Sequence, residues 1–226
     1  MIRIFIGYDE NETVAFHVLS HSLLRNSSEP IEIVPLVKSH FAKFYHREKS
    51  NIESTDFSFT RFLVPYLSGY VGWSIFMDCD MLCITDIAKL WELRRDEFAV
   101  MCVKHDYQPN EGPKFLNQIQ TKYAKKNWSS VMLFNNAECS SLTPAVVESE
   151  SGLHLHQFKW LSGDHQIGSL PFEWNYLVGE SVSSVTAPNL IHYTLGGPYF
   201  DEYINCEHAD LWRDEFNRMT YSTKRK

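Results

Sequence analysis

Residues 74–87 read SIFMDCDMLCITDI. An apolar run, Ile75-Phe76-Met77, drives straight into Asp78-Cys79-Asp80, and a second, Met81-Leu82-Cys83-Ile84, resumes at once. The first run has the composition of a buried strand. Two carboxylates inside such a strand are costly to bury without partners, because burial removes the water that stabilises their charge. Either basic residues pair them, or the strand ends at Asp78 and a cation sits on the pair. No Lys or Arg occurs from Trp73 to Ala88, so the local chain offers no such partner. Oxygen ligands two residues apart at a strand end suit Mg²⁺ or Mn²⁺, ions that commonly bridge protein carboxylates and substrate phosphates. Asp-x-Asp alone is a weak signal; its setting between two apolar runs gives it weight.

Outward from this stretch, strand and helix patterns alternate. Ile2-Arg3-Ile4-Phe5-Ile6 reads as a first strand that stops at Gly7-Tyr8-Asp9. Val14, His17, Val18, His21 and Leu24 recur at helical spacing over 13–24, and Glu29-Pro30 ends that helix. Residues 31–37 read as a second strand, with Pro35 placing it at a sheet edge or strand end. This opening predicts an α/β sheet with a ligand site at the carboxyl ends of its strands. Residues 57–67 read as helix interrupted at Pro65, and Gly69 and Gly72 turn the chain into the strand at 74–77. Residues 86–94 predict a short helix burying Leu90, Trp91 and Leu93. Further expectations are strands at 98–103, 130–134 and 190–193, helices at 114–125 and 209–219, and a structured loop at 171–175. No repeat or low-complexity segment interrupts the pattern, so one compact domain over 1–226 is expected.

Composition narrows the function classes. The 226 residues are 44% apolar, enough for a sizeable core. A formal net charge of -7 and the lack of a Lys/Arg stripe argue against a nucleic-acid surface. The basic clusters at 122–126 and 224–226 read as solvated faces. Five cysteines, an odd number with no Cys-x-x-Cys, fit core packing in a reducing cytoplasm better than a disulfide scaffold. MIRIFIGYDE reads as a strand, not a signal peptide, and no stretch approaches 18 apolar residues. The expectation is a cytoplasmic protein without a transmembrane segment; peripheral association with the inner membrane face stays open.

His192 lies in NLIHYTLGGPYF, between apolar residues and a glycine pair. It reads either as a core histidine held by hydrogen bonds or as a third metal ligand. In the second case Gly196-Gly197 can bring backbone N–H groups close to phosphates. His17 and His21 share a helix face without the Glu of a zincin pattern and read as packing. His154 and His156 fall on one side of a strand-like stretch, and His165 sits beside Asp164. No Gly-x-Ser-x-Gly elbow, Walker A or dinucleotide fingerprint is present.

FSFTRFLVPYLSGYVGWSIFMDCDMLCITDIAKLW resembles the central signature of GT-A fold glycosyltransferases. It is similar to the retaining nucleotide-sugar transferases related to bacterial lipopolysaccharide galactosyl- and glucosyltransferases and glycogenin. Arg61, Pro65, Asp78, Asp80, Asp86, Ile87 and Leu90 carry the match, which extends over about 2–200. NWSS at 127–130 and HYTLGGP at 192–198 look like a subgroup of small bacterial and phage proteins.

The resemblance implies a GT-A, Rossmann-like mixed sheet flanked by helices. It also implies Mn²⁺ (or Mg²⁺) held by Asp78, Asp80 and His192 on the diphosphate of a nucleotide sugar, with Cys79 between the two acids. Gly7, Tyr8, Asp9 and Asn11 would receive the base, and Arg61 would lie by the ribose and diphosphate. Trp128 and Ser129, with Asn127 and Ser130, would line the sugar pocket. Asp164 would lie near the donor sugar and acceptor, orienting and stabilising. The relatives carry a lysine on the β-phosphate that the 192–199 segment lacks, leaving that work to Arg61 or the amides of Gly196 and Gly197. The implied activity moves a sugar, from a UDP-sugar, to a glycan, glycolipid or other hydroxyl acceptor with retention. Trp128, Tyr107 and Trp174 read equally as stacking platforms or core residues.

Two rival readings remain. One is a non-catalytic nucleotide-sugar-binding module of the same fold. The other is a nucleotidyltransferase, which would need a Gly-rich basic loop after the first strand. Gly7-Tyr8-Asp9-Glu10-Asn11-Glu12 is acidic and would repel a triphosphate.

Overall fold

In the computed structural model the described residues are 1–48, 55–105, 112–113, 119–120, 124–180 and 187–221. β1 (Ile2–Gly7), α1 (Thr13–Asn26) and β2 (Ile31–Leu36) form the opening unit. β1 and β2 pair in parallel from Ile2↔Ile31 to Gly7↔Leu36, with β2 at the sheet edge. Pro35 is therefore accommodated where its missing N–H leaves no inner ladder bond unmade.

Pro65 does not interrupt one long helix. A 3₁₀ turn, Thr60–Leu63, runs into α2 (Val64–Leu67), and Pro65 falls in the first turn of α2, where no intrahelical N–H is needed. β3 (Trp73–Met77), β4 (Met81–Cys83), α3 (Ala88–Glu92) and β5 (Val100–Cys102) follow. Of the three side chains expected inside α3, Leu90 is fully buried and Trp91 and Leu93 half so.

The helix expected at 114–125 is not present as read. β6 (Gly112–Pro113) and β7 (Ile119–Gln120) pair antiparallel, and 124–127 form a turn; 114–118 and 121–123 lie outside the described residues. β8 (Val131–Asn135), α4 (Pro144–Ser149) and α5 (Gly152–His156) come next. His154 and His156 thus sit on a helix, not a strand: Ser151 caps it, its hydroxyl accepting from the His154 N–H. β9 (Ile167–Ser169), β10 (Tyr176–Leu177), β11 (Leu190–His192) and α6 (Ala209–Thr220) complete the order.

The main sheet runs β2-β1-β3-β8-β5-β9, mixed in direction, because β8 is antiparallel to both β3 and β5. A second sheet runs β10-β11-β4. The larger core joins β1, β3, β5 and β8 to the flanking helices. A smaller cluster of Val18, Leu82, Tyr176, Ile191, Tyr193 and Trp212 wedges α1 and α6 against the second sheet. The fold is an α/β mixed sheet flanked by helices.

Candidate active site

The question raised by Asp78-Cys79-Asp80 has a structural answer: the tripeptide carries the chain from one sheet to the other. β3 ends at Met77 in the main sheet, and β4 begins at Met81 in the second. The backbone is satisfied on both sides of the crossing. The Asp78 N–H donates to the Ser130 carbonyl at 3.0 Å, and the Asp80 carbonyl accepts the Tyr193 N–H at 2.9 Å. The chain bends at Cys79 and Asp80; Cys79 enters the core, while the two carboxylates come together with His192. β11 pairs antiparallel to β4 with His192 opposite Met81, which sets the imidazole beside them. Ligand atoms of Asp78, Asp80 and His192 all lie within 4.8 Å of one another.

Both carboxylates are 8% exposed. His192 Nε2 lies 3.4 Å from Asp80 Oδ2 and 4.0 Å from Asp78 Oδ2. Arg61 pairs with Asp78, Nη1 to Oδ1 at 2.9 Å, donates to the Ser129 carbonyl at 2.9 Å, and sits over the Phe57 and Phe76 rings. The Asp78 carboxyl is raised to about 6: burial pushes it up most, Arg61 pulls against that, and the Asp80 charge adds to the rise.

Two further acids face the pair. Glu12 is buried and accepts from the Tyr199 hydroxyl at 2.7 Å; burial first, then the Asp80 charge, hold it well above the usual carboxylate range. Asp9 is also buried, its Oδ1 accepting from the backbone and side-chain nitrogens of Asn11 and its Oδ2 from the Asp56 N–H. Four buried carboxyl groups thus lie in this region, and Arg61 pairs with one of them, Asp78. Two carboxylates and an imidazole at this spacing fit a divalent cation.

The other expected residues are placed as follows. Gly7 lies under the Phe57 ring, whose atoms stand 2.4 Å from where a Cβ would be. Tyr8 meets Thr13 through its hydroxyl at 3.1 Å and, with Glu10, Val37, Lys38, Ser39 and Asp56, lines a cavity of about 280 Å³. Trp128 is half-buried, its Nε1 donating to the His105 carbonyl at 3.0 Å. Ser129 Oγ lies 2.8 Å from His156 Nδ1. Gly196, at φ +139, spends its N–H on the Tyr193 carbonyl at 2.8 Å, so that amide closes a turn. A Cβ on Gly196 would meet the Tyr203 ring at 2.5 Å and one on Gly197 the Tyr199 ring at 2.2 Å. The glycine pair therefore lets two tyrosine rings close over the backbone.

Asp164 stands apart. It is largely exposed just before β9, and its carboxylate pairs with Lys125 rather than with the cluster. Trp174 is a core residue, and Tyr107 lies outside the described residues. Sequence reading missed Glu12 and Asn175 as site residues; Asn175 Oδ1 lies 2.8 Å from His192 Nδ1. The acidity of the loop after β1 was the available signal for Glu12.

Residues 12–141, more than half of the chain, match the model of glycosyl transferase family 8. Protein CDI of Arabidopsis thaliana is 45% identical over 99% of this chain and 89% of its own length. Among solved structures, the galactosyltransferase LgtC in complex with donor and acceptor sugar analogues superposes with a TM-score of 0.64 at 11% identity, over 99% of this chain and 98% of that one. The bifunctional glycosyltransferase WbbM gives a TM-score of 0.64 at 13% identity over 95% of this chain, which spans 49% of its length.

Proposed function

This chain belongs to glycosyl transferase family 8 and is a metal-dependent glycosyltransferase using a nucleotide-sugar donor; we propose that Asp78, Asp80 and His192 are its metal ligands and a UDP-sugar its donor. One observation carries the assignment: a crossing between two sheets and a strand more than a hundred residues away converge two buried carboxylates and an imidazole within 4.8 Å. The mixed oxygen and nitrogen set favours Mn²⁺ over Mg²⁺. Bound to a donor diphosphate, such an ion supplies Lewis-acid stabilisation of the leaving group. Arg61 adds a second positive charge beside it and holds Asp78 in place.

The cavity at Tyr8, Val37 and Lys38, at the carboxyl ends of β1 and β2, is the proposed seat of the nucleotide base, with Gly7, Asp9 and Asn11 assigned to it from the same loop. Trp128 and Ser129 line the sugar side, and the segment at Gly196 and Gly197 closes over the diphosphate with the Gly197 amide. Asp164, exposed and held by Lys125, is assigned to orienting the acceptor, a glycan, glycolipid or other hydroxyl compound, for transfer with retention. No described helix is long and apolar enough to cross a membrane; a cytoplasmic enzyme meeting a lipid-linked acceptor at the inner face fits this reading.

Thermal melting against a panel of nucleoside diphosphate sugars, with Mn²⁺ and with EDTA, tests it. Binding to the native state raises the midpoint by linkage. A rise with one donor, lost in EDTA and in Asp80→Ala, is expected. Donor binding indifferent to EDTA and to both aspartates would refute the metal assignment. Binding without turnover would make the protein a nucleotide-sugar-binding module.

A further inference from the structure

His192 has two ring nitrogens, and only one faces the carboxylates. Nε2 lies 3.4 Å from Asp80 Oδ2, and Nδ1 lies 2.8 Å from Asn175 Oδ1. Which nitrogen carries the proton decides whether a lone pair is available to a cation. The surroundings of Asn175 settle that question in three steps.

Asn175 is fully buried, so its amide must find partners within the chain. Its Nδ2 donates to the Asn127 backbone carbonyl at 3.1 Å. A carbonyl oxygen only accepts, so the NH₂ end must face Asn127, and Oδ1 must face His192. Oδ1 also only accepts, so Nδ1 is the protonated nitrogen. In the neutral ring Nε2 then holds the lone pair, on the side that faces Asp80 and Asp78.

The chain maintains this relay at some conformational cost. Asn127 adopts the left-handed conformation, φ 63 and ψ 1, and Lys125 two residues earlier has φ 62. Neither is a glycine, and such backbone persists where surrounding structure over-determines it. The left-handed residue aims its carbonyl at Asn175 and continues into the turn that leads to β8 and Ser130, whose carbonyl holds the Asp78 N–H. One turn thus orients the histidine and anchors the first aspartate.

We propose that Asn175, fixed by the Asn127 carbonyl, is a positioning residue that sets the tautomer of His192 and presents Nε2 to the metal. The proposal rests on His192 being a ligand. Removing the buried acceptor behind a metal-bound imidazole commonly weakens metal binding about 10–100-fold.

The test begins without metal. ¹⁵N-histidine-labelled protein at about pH 8 reports the tautomer of each neutral imidazole, and the His192 signal is assigned by its loss in His192→Gln. Wild type should show a protonated Nδ1 and a bare Nε2. Protonated Nε2 in wild type overturns the proposal, whether or not any variant folds. Asn175→Leu, which removes the acceptor, should mix the tautomers and weaken Mn²⁺ binding, followed by the EPR signal of the free ion, about 10–100-fold. Asn175→Asp keeps an oxygen toward Nδ1 but loses the donation to Asn127. It should hold the tautomer and bind Mn²⁺ at least about ten times more tightly than Asn175→Leu. Equal losses in both variants with an unchanged tautomer would make Asn175 a packing residue and overturn the assignment. The expected wild-type tautomer in a protein that binds no Mn²⁺ would overturn the metal reading of the site, and with it the presentation of Nε2.

Discussion

Among the described residues, the buried carboxylates fall into two sets with different surroundings. Glu215 on α6 is 4% exposed and fully answered: Oε1 meets His21 Nδ1 at 2.6 Å, and Arg25 on the same helix as His21 grips both oxygens at 2.8–3.1 Å. At the sheet crossing, Asp9, Glu12, Asp78 and Asp80 are all buried; Arg61 pairs with Asp78, and His192 Nε2 lies 3.4 Å from Asp80. Burying a charge is tolerated where the chain supplies its counter-charge. Where two carboxylates and an imidazole converge within ligand distance, the set fits a cation from outside the chain. The first set fastens α6 to α1; the second is the proposed active site.

The sharpest way to break this comparison is to remove one charge from each set. Asp80→Asn should lower donor turnover at least about 10²–10³-fold, the scale of losing one strong electrostatic contact to a developing charge. In EDTA the same variant should melt at or above wild type, because it relieves repulsion on Asp78 and Glu12. A variant that lost stability and kept turnover would reverse the assignment of the two sets. Donor and Mn²⁺ together, at about a hundred times their Kd, should stabilise wild type by about 2.7 kcal/mol in a melting series. Asp80→Asn should lose this gain, and a variant in the other set should retain it.

That other variant is Arg25→Met. It leaves Glu215 buried with His21 alone, and a lost charged hydrogen bond of this kind costs about 1–3 kcal/mol, reduced here because the Arg25 side chain is 42% exposed. Denaturant unfolding should show the loss while turnover at saturating donor and Mn²⁺ stays at the wild-type rate. A turnover defect would mean that the α1–α6 junction reaches the site after all.

What the sequence disclosed follows from the reach of each interaction. β1, α1 and β2 were legible to within two residues because apolar periodicity is local and strong there. Residues 154 and 156 misled because an i, i+2 pair shares a strand face, whereas the deciding feature was a single Ser151 cap. The 114–125 stretch misled because a two-residue pairing such as β6–β7 is too short to leave an alternation. Within the site, Asp78, Asp80 and His192 were legible as residue types in context. The pairing of Arg61 with Asp78, the closeness of Glu12 to both aspartates, and the hold of Asn175 on His192 all depend on chain segments returning from a distance. Composition cannot announce such contacts, and the pairing of Arg61 with Asp78 is visible only in the fold.

The smallest effect concerns the far side of Arg61. Ser129 accepts from that guanidinium through its carbonyl and meets His156 through its hydroxyl, so His156 faces the positive back of the same arginine whose front faces the acids. Burial, then Arg61, then Arg47 hold the His156 imidazole down to about 3. An unfolded chain protonates it near its ordinary value of about 6.5. The folded pKa is the lower one, so its contribution to stability is complete above about pH 6.5 and is lost as pH falls toward about 3. Between pH 6.5 and 5.5 the loss is about 1 kcal/mol. His156→Gln should flatten that part of the stability–pH curve, even if it lowers stability at neutral pH. Two parallel curves would mean that the imidazole titrates alike in both states. The charge surplus would then spread past Arg61, and the boundary between the acidic site and its cationic backing would have to be drawn elsewhere.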